Sequence, residues 1–265
     1  MILFGNITNP MNDILEEIKT IKKLDCDYVE IAIEGPFNLP EILELRKREI
    51  KQALLLFNHL PVAHFAWWAD LGSPLDEVRL GWIEETKSAM RIAADLGCKK
   101  FTVHSHSTGM YAKTEKTLKP ILDNYVKSLK ELLSFGKKIG IQLMFENAAE
   151  RGEIVYFKNF RYIVDRVPGL AVHIDIGHAF ANGGIKTVEE FIEYFSKKII
   201  HFHFHDNHGN QDEHLSIGNG KINYKKITNF IKKINYNNTI TFEVFELPRN
   251  NVTKSMAKIK KLFSG

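Results

Sequence analysis

Cysteines and long apolar runs are scarce in this sequence. Among 265 residues there are only two cysteines, Cys26 and Cys98, and neither belongs to a CxxC pair. Two isolated cysteines do not make a disulfide scaffold, so we expect both thiols to be reduced and buried in a cytoplasmic protein. No run approaches the roughly 18 apolar residues of a membrane-spanning helix. The first residues, MILFGNIT, are typical of a strand rather than a signal peptide, so neither secretion nor membrane insertion is expected.

Charge of one sign is not concentrated anywhere along the chain. The net charge is +4, and the lysines are scattered through segments with helical periodicity, such as IKTIKKL and ITNFIKKI. This distribution is typical of solvated helix faces and gives little support to nucleic-acid binding. With 44% hydrophobic residues the chain can bury a substantial core, so we expect residues 1–265 to form one domain.

Strand-like and helix-like patterns alternate from end to end. The eight strand-like segments are ILFGNI, YVEIAIE, PVAHFAW, KKFTVHS, IQLMFEN, LAVHIDIG, IIHFHFHD and NTITFEVF. Between them lie helical patterns, including LPEILELRKREIKQALLLF, which we expect to form one helix beginning near Pro40. An open doubly wound sheet also alternates strands and helices, but eight units favour closure into a TIM (β/α)8 barrel, an α/β fold. The active site of such a barrel lies in the loops after the strands.

The ends of six consecutive predicted strands each carry a side chain that binds divalent metals. The sixth strand is followed by a second such residue, and the loop after the seventh strand adds two more. The nine residues are His64, His104, Glu146, Asp175, His178, His205, Asp212, His214 and Glu243. A lone histidine is usually a structural residue, but in a closed barrel all of these side chains converge on one mouth. The pattern therefore predicts a metal centre at that mouth.

The alternation of strand side chains places further histidines inside the barrel. Residues two apart on a strand share a face, so His201 and His203 point inward with His205 but lie deeper. We expect these two to fill the barrel or to support the site from below rather than to bind metal. Glu30 and Glu34, inward positions of the second strand, are their expected hydrogen-bond partners.

Several residues near the predicted mouth are candidates for substrate contacts. Trp67 and Trp68 offer an apolar wall to a bound substrate, although aromatic residues at a barrel rim more often only pack. His106 and His208 lie on loops at the mouth, where an exposed histidine is often incidental. His59 precedes the third strand, at the opposite end of the barrel, and is assigned no role.

Longer motifs that contain these residues give the sequence a family resemblance. The motifs are HFAWWADLG at 64–72, VHSHS at 103–107, FENAAERG at 145–152, HIDIGHAF at 173–180, HDNHGNQDEHLSIGNGKI at 205–222 and FEVFE at 242–246. With them the chain resembles the xylose isomerase-like TIM-barrel superfamily, which includes sugar isomerases and epimerases as well as endonuclease IV. ENAAERG, the Asp-x-x-His of DIGH and DEHLSIGNGKI are the specific pieces, and the motifs together span nearly the whole chain.

The isomerase and epimerase branch of this superfamily implies one divalent metal ion, Mn, Co, Mg or Zn, held by Glu146, Asp175, His205 and Glu243. In that branch the two glutamates also act as the acid/base pair, and His178 resembles a substrate-contacting residue. The implied substrate is a small sugar. Whether it is phosphorylated stays open, because no Gly-rich phosphate cradle appears in the sequence.

The endonuclease IV branch implies up to three zinc ions, held by the same residues together with His64, His104, His178, Asp212 and His214. Its substrate would be abasic-site DNA. The sequence departs from that branch, because the loop after the second strand is the short GPFNLP and Gly177 stands where a cysteine is expected. A duplex-binding protein also needs a basic surface, which the scattered lysines do not provide. We therefore favour sugar isomerisation or epimerisation and keep phosphodiester hydrolysis as the alternative, with the oligomeric state left open.

Overall fold

The computed structural model describes residues 1–106, 114–149 and 156–265, and its centre is a closed barrel of parallel strands. The strands are β1 (Leu3–Ile7), β2 (Tyr28–Ile33), β3 (Val62–Phe65), β4 (Lys100–His104), β5 (Gln142–Glu146), β6 (Ala171–Asp175), β7 (Ile199–Phe204) and β8 (Thr239–Phe242). Each strand pairs with the next along the chain, and β8 pairs with β1 to close the sheet. The predicted TIM barrel is confirmed, and the open-sheet alternative is wrong.

Helices surround the barrel. They are α1 (Ile14–Lys23), α2 (Pro40–Leu45), α3 (Lys47–Leu54), α4 (Asp76–Asp95), α5 (Glu115–Ile139), α6 (Phe157–Asp165), α7 (Ile176–Phe195), α8 (Tyr224–Lys233) and α9 (Asn251–Ser264). Pro40 is the first residue of α2, as predicted, since its fixed φ suits the first helical turn. The expectation of a single helix over this segment is wrong. Arg46 leaves the helical region, with φ −103° and ψ 8°, and its guanidinium pairs with Asp13 at the N-terminus of α1. α7 is also interrupted, at Gly183 and Gly184.

Two sets of buried side chains lie on opposite faces of the sheet. The outward face of the strands packs against the helices in one continuous apolar core. The inward face carries a small apolar cluster near the N-terminal ends of the strands, made of Tyr28, Val62, Met144 and Ala171. Above this cluster the barrel interior holds buried histidines and carboxylates. Burying such groups is costly unless they pair with one another or with a bound ion.

The two cysteines and the hydropathy of the helices agree with the expectations from composition. Cys26 and Cys98 are both buried and unpaired. Burial raises the pKa of the Cys26 thiol to about 12, so this group is protonated and unreactive at neutral pH. Among the described segments, no helix is both long enough and apolar enough to cross a membrane.

Candidate active site

The nine predicted metal ligands lie together at the C-terminal mouth of the barrel. The pairing register brings neighbouring strands into line, with His104 opposite Glu146 across β4 and β5 and Glu146 opposite His173 across β5 and β6. On the next pair of strands, Asp175 lies opposite His203. Because inward positions of adjacent strands adjoin inside a small barrel, these side chains contact one another.

Three buried carboxylates converge on one ring nitrogen. His203 Nδ1 lies 2.9 Å from Glu243 Oε2. It also lies 3.8 Å from both Glu146 Oε1 and Asp175 Oδ2. His203 therefore contacts the predicted ligands from below, in the supporting position expected for an interior histidine. The strands of a barrel are staggered, so His203 is level with Asp175 on β6 although His205 lies nearer the mouth on its own strand.

Below His203 Nδ1, the carboxylate of Glu30 holds two histidines in place. Glu30 Oε2 lies 2.9 Å from His201 Nε2 and 3.1 Å from His203 Nε2. The other ring nitrogen of His201 is 2.7 Å from Thr239 Oγ1. Glu30 and both histidines are fully buried. The predicted pairing of Glu30 with the interior histidines is confirmed, whereas Glu34 lies higher and lines a cavity instead.

A pair of histidines flanks Glu146 on the side of β3 and β4. His64 Nε2 and His104 Nε2 are 3.0 Å apart. They lie 3.3 Å and 3.0 Å, respectively, from Glu146 Oε2, and His173 Nδ1 approaches the same oxygen at 3.1 Å. Imidazole nitrogens around a carboxylate are a donor set that Zn²⁺ accepts.

The Asp-x-x-His motif is positioned by the start of α7. Asp175 ends β6 and caps α7, because its carboxylate accepts a hydrogen bond from the backbone N–H of His178 at 2.6 Å. His178 Nδ1 donates to the backbone oxygen of Asn147 at 2.8 Å, which turns Nε2 towards the mouth. Gly177, between the two, is required by packing, since a Cβ there would lie 2.0 Å from the His205 ring.

The loop after β7 brings Asp212 and His214 to the same place. Asp212 Oδ1 lies 3.4 Å from His205 Nε2. Asp212 Oδ2 lies 3.2 Å from His178 Nε2 and 3.0 Å from His214 Nε2. His214 has φ 47°, a strained left-handed conformation, and its Nδ1 donates to the backbone oxygen of Glu243 at 3.0 Å. The strain is held by contacts at both ring nitrogens, so this Asp212–His214 arm is continuous with the rest of the cluster.

Two residues that hold the site were missed as candidates in the sequence. The side chain of Asn147 bonds the backbone of Asp175 in both directions, donating to its oxygen and accepting from its N–H. The carboxylate of Asp206 accepts from the backbone N–H groups of Gly218 and Ile222 and so closes the loop after β7. Each follows a predicted ligand directly, in the pairs EN and HD, and that position is the signal that identifies them.

Neighbouring charges decide the protonation of the buried carboxylates. Burial alone would raise the pKa of Glu146, but the surrounding histidines outweigh it and hold the pKa well below its usual range. Burial also opposes ionisation of Glu243, whose pKa His203 and His214 nevertheless keep low. Burial would lower the pKa of His214, but Glu243 and Asp212 raise it to about 9. At neutral pH the site therefore combines ionised carboxylates with a protonated His214.

The donor set fits a divalent metal ion. Glu146 Oε1 and Asp175 Oδ2 are buried, and neither has a hydrogen-bond partner among the described residues. Ligand atoms lie within 4.8 Å of one another in groups that include Asp175, His178, His205 and Glu243, and His64, His104 and Glu146. Several ionised carboxylates in one buried site repel unless a cation neutralises them. Carboxylate oxygens and imidazole nitrogens are the donors that Zn²⁺ and similar ions use in proteins.

A cavity of about 450 Å³ opens above these ligands. Seven of the nine predicted ligands contribute to its walls, while Asp175 and His205 lie beneath them, fully buried. The other lining residues include Asn9, Ala32, Glu34, Trp67, His106 and Phe245. Residues 150–152 of the ENAAERG motif and Ser107 of VHSHS lie outside the described residues.

The predicted substrate contacts are divided between this cavity and its surroundings. Trp67 and His106 line the cavity. Trp68 packs edge-on against Trp67, with ring centroids 5.6 Å apart, and lies outside the lining. His208 is exposed and its Nδ1 pairs with Glu213 at 2.9 Å. The roles of Trp67, Trp68 and His208 in substrate binding, like that of His178 in the cavity wall, stay predictions.

Sequence comparison connects this chain to two kinds of relative. The model of the xylose isomerase-like TIM barrel family matches residues 18–262. An uncharacterized protein of Methanocaldococcus jannaschii is 28% identical over 236 residues, which cover 88% of this chain and 86% of the relative. A probable endonuclease 4 of Thermotoga maritima is 25% identical over 158 residues, which cover 58% of this chain and 52% of that protein.

Solved structures share the barrel along its whole length. A D-tagatose 3-epimerase-like protein is 27% identical with a TM-score of 0.82, and the match covers 99% of this chain and 97% of that one. The IOLI protein, solved with a bound zinc atom, is 19% identical with a TM-score of 0.81 and coverage of 99% and 98%, a likeness of fold. Since the family model matches nearly the whole sequence, this chain belongs to the xylose isomerase-like TIM barrel family.

Proposed function

We propose that this protein is a sugar isomerase or epimerase that depends on a divalent metal ion. The observation that carries the proposal is the convergence of Glu146, Asp175 and Glu243 around one point at the floor of a cavity of about 450 Å³. Binding pockets for small molecules begin at roughly this size, so the cavity suits one small sugar. The similarity to a D-tagatose 3-epimerase-like protein supports the same substrate class.

Glu146 and Glu243 are the proposed acid/base pair. Glu146 ends β5 and Glu243 follows β8, so their carboxylates enter the cavity from different sides. Surrounding histidines hold the pKa of each glutamate low, which keeps both ionised and able to accept a proton at neutral pH. One glutamate would remove the proton from the carbon beside the sugar carbonyl. The other would take up a proton from solvent and deliver it to the opposite face of that carbon, and the first would then release its proton to solvent.

The remaining residues would hold the substrate and the ion. Glu146, Asp175, His205 and Glu243 would hold a divalent metal ion, which supplies polarisation of the substrate carbonyl. Trp67 and Phe245 in the cavity wall would offer apolar surface to the hydrogen-bearing carbons of the sugar. His178 Nε2 would contact a substrate oxygen, because the hydrogen bond from Nδ1 to the backbone oxygen of Asn147 turns Nε2 towards the mouth.

Proton exchange tests the proposal. Protein loaded with Mn²⁺ is incubated in D₂O with D-tagatose, D-fructose or D-ribulose, and deuterium at the carbon beside the carbonyl is followed by NMR. Wild type should exchange that proton with at least one ketose. Glu243→Gln should lower the rate by about 100-fold or more, because an amide cannot act as the base.

Glu193→Gln is the matched control for this experiment. Glu193 lies on the exposed face of α7 and pairs with Lys233, so the variant should exchange at the wild-type rate. Circular dichroism and metal content are measured for each variant. Absence of exchange with every ketose by folded, metal-loaded wild type would contradict the proposal.

A second candidate is zinc-dependent hydrolysis of phosphodiesters at abasic sites in DNA. It is favoured by the residues beyond the first four ligands, since the His64–His104 pair and the Asp212–His214 arm form further potential ligand groups. The similarity to a probable endonuclease 4 supports it as well. Three zinc ions per chain, together with cleavage of an abasic-site duplex that Glu146→Gln abolishes, would favour this function over isomerisation. One ion per chain and an intact duplex would favour the isomerase.

A further inference from the structure

Glu34 is a cavity carboxylate that is not among the nine residues predicted as metal ligands. On β2 the inward positions alternate: the Tyr28 hydroxyl bonds Thr241 Oγ1 inside the barrel, and Glu30 bonds the interior histidines. The same alternation continues to Ala32 and Glu34, which both line the cavity.

Glu34 is half-buried, and one of its two carboxylate oxygens is fully enclosed. Its Oε2 is inaccessible to solvent and has no hydrogen-bond partner among the described residues. Buried acceptors are nearly always satisfied, because leaving one unpaired costs stability. Glu30, two inward positions below, has both interior histidines within hydrogen-bond distance. Because the described residues supply no donor to this oxygen, a ligand in the cavity that Glu34 lines is the available source of a hydrogen bond to its carboxylate.

We propose that Glu34 binds a hydroxyl group of the substrate and selects an unphosphorylated sugar. The inference rests on the proposed function and names the substrate class for the same site. A carboxylate accepts hydrogen bonds from sugar hydroxyl groups, and charge-assisted bonds of this kind are the stronger ones. A phosphate group at that position would instead place like charges together, which is strongly unfavourable.

The other charges of the described cavity wall favour the same substrate. Besides Glu34, the wall contains the carboxylates of Glu146, Asp212 and Glu243. Those three carboxylates are among the nine predicted metal ligands, whereas Glu34 is not. Within the described part of the cavity lining, the residues that can carry a positive charge are all histidines. A neutral polyhydroxy chain satisfies Glu34 without adding negative charge to this wall.

Calorimetric titration of the Mn²⁺-loaded protein tests the inference. The probes are D-fructose, D-tagatose and D-ribulose, the same ketoses with a terminal hydroxyl removed, and D-fructose 6-phosphate. Glu34→Gln should weaken binding of one or more ketoses by roughly 10- to 100-fold, the loss expected for a hydrogen bond to a charged group. The matching deoxy sugar should bind wild type and variant equally, and the 6-phosphate should bind the variant better than wild type.

Controls separate a binding role from a structural one. Glu41→Gln, an exposed neighbour at the start of α2, should leave every affinity unchanged. Because no described residue donates a hydrogen bond to Glu34 Oε2, Glu34→Gln should keep or raise the thermal midpoint of the sugar-free protein. A lowered midpoint with unchanged affinities would overturn the inference, as would tighter binding of the 6-phosphate than of the free sugar by wild type.

The outcome is independent of the test of catalysis. Proton exchange in D₂O is measured on the same samples. Sugar binding that depends on Glu34 without any exchange would contradict the proposed isomerase activity but support the Glu34 subsite. Exchange by wild type with equal affinity and rate in Glu34→Gln would support the activity and overturn the subsite.

Discussion

Replacing Lys100 by methionine should remove part of the pH dependence of folding stability. Lys100 begins β4, and its Nζ donates to the backbone oxygen of Ile200 at 3.0 Å and to Thr239 Oγ1 at 2.8 Å. Burial lowers the pKa of the Lys100 amine from 10.5 to about 8, and the attraction of Glu30 opposes only part of this change. The folded state is therefore penalised while Lys100 carries its proton.

The sign and the magnitude follow from comparing folded and unfolded chains. Below pH 8 both states hold the proton, and the folded state carries the full penalty. Between pH 8 and 10.5 the folded chain has lost the proton while the unfolded chain retains it, so stability rises with pH. The difference between the two pKa values corresponds to about 3 kcal/mol, of which about 2.5 kcal/mol is recovered between pH 7 and pH 10.

Urea unfolding at pH 7 and pH 10 measures the effect. The stability of Lys100→Met relative to wild type should fall by about 2.5 kcal/mol from pH 7 to pH 10, because other titrating groups cancel in the difference. Lys99→Met, an exposed neighbour, is the control and should show no such change. A relative stability of Lys100→Met that is the same at both pH values would refute the reasoning.

Three further perturbations test the site itself. Gly177→Ala should displace the His205 ring, which costs about 1–3 kcal/mol of unfolding free energy and lowers metal affinity about 10- to 100-fold. Urea unfolding measures the first effect and metal titration the second. Gly81→Ala, whose Cβ meets open space, is the control. Glu30→Gln should destabilise the fold by about 3–5 kcal/mol at pH 7, since two buried histidines lose their anionic partner. Histidine charges lower the pKa of Glu30 despite its burial, so this cost should shrink in acid unfolding experiments as the pH falls below 4.5. Removal of divalent metal with EDTA should lower the calorimetric unfolding midpoint of wild type, because an ion at 1,000 times its Kd contributes about 4 kcal/mol to the free energy of unfolding. Asp175→Asn should lose this response to EDTA.

The location of the site is predictable from strand order alone. In a closed parallel barrel every strand delivers its C-terminal residue to the same end, whatever the details of packing. A histidine or an acidic residue at the ends of successive strands is therefore enough to bring His64, Glu146 and Glu243 together, and all three line one cavity. Alternation along a strand likewise predicts that Glu30 meets His201 in the interior, as the structure confirms.

Contacts between layers of the barrel are not predictable in this way, because they depend on the stagger of neighbouring strands. Along β7, His203 lies one layer below His205, and only the register of β6 and β7, which sets it opposite Asp175, shows which ligand it supports. Glu34 shares the alternation of Glu30, yet it lies past the end of β2 and lines the cavity. At Gly177 the sequence shows only a missing side chain, whereas the reason for it is the His205 ring from another strand.

The contacts of the Asp212–His214 arm determine which measurement separates the two candidate functions. Asp212 Oδ1 lies 3.4 Å from the ring of His205, a ligand in both proposals, while its Oδ2 lies 3.0 Å from His214. Substituting Asp212 therefore disturbs His205 whether the site holds one ion or several. His214 in turn bonds the backbone of Glu243, so its removal disturbs the proposed base. Loss of activity in either variant is expected from both functions. Counting the ions in the unaltered protein avoids this coupling, and it is the measurement that distinguishes a single-metal isomerase from a zinc cluster.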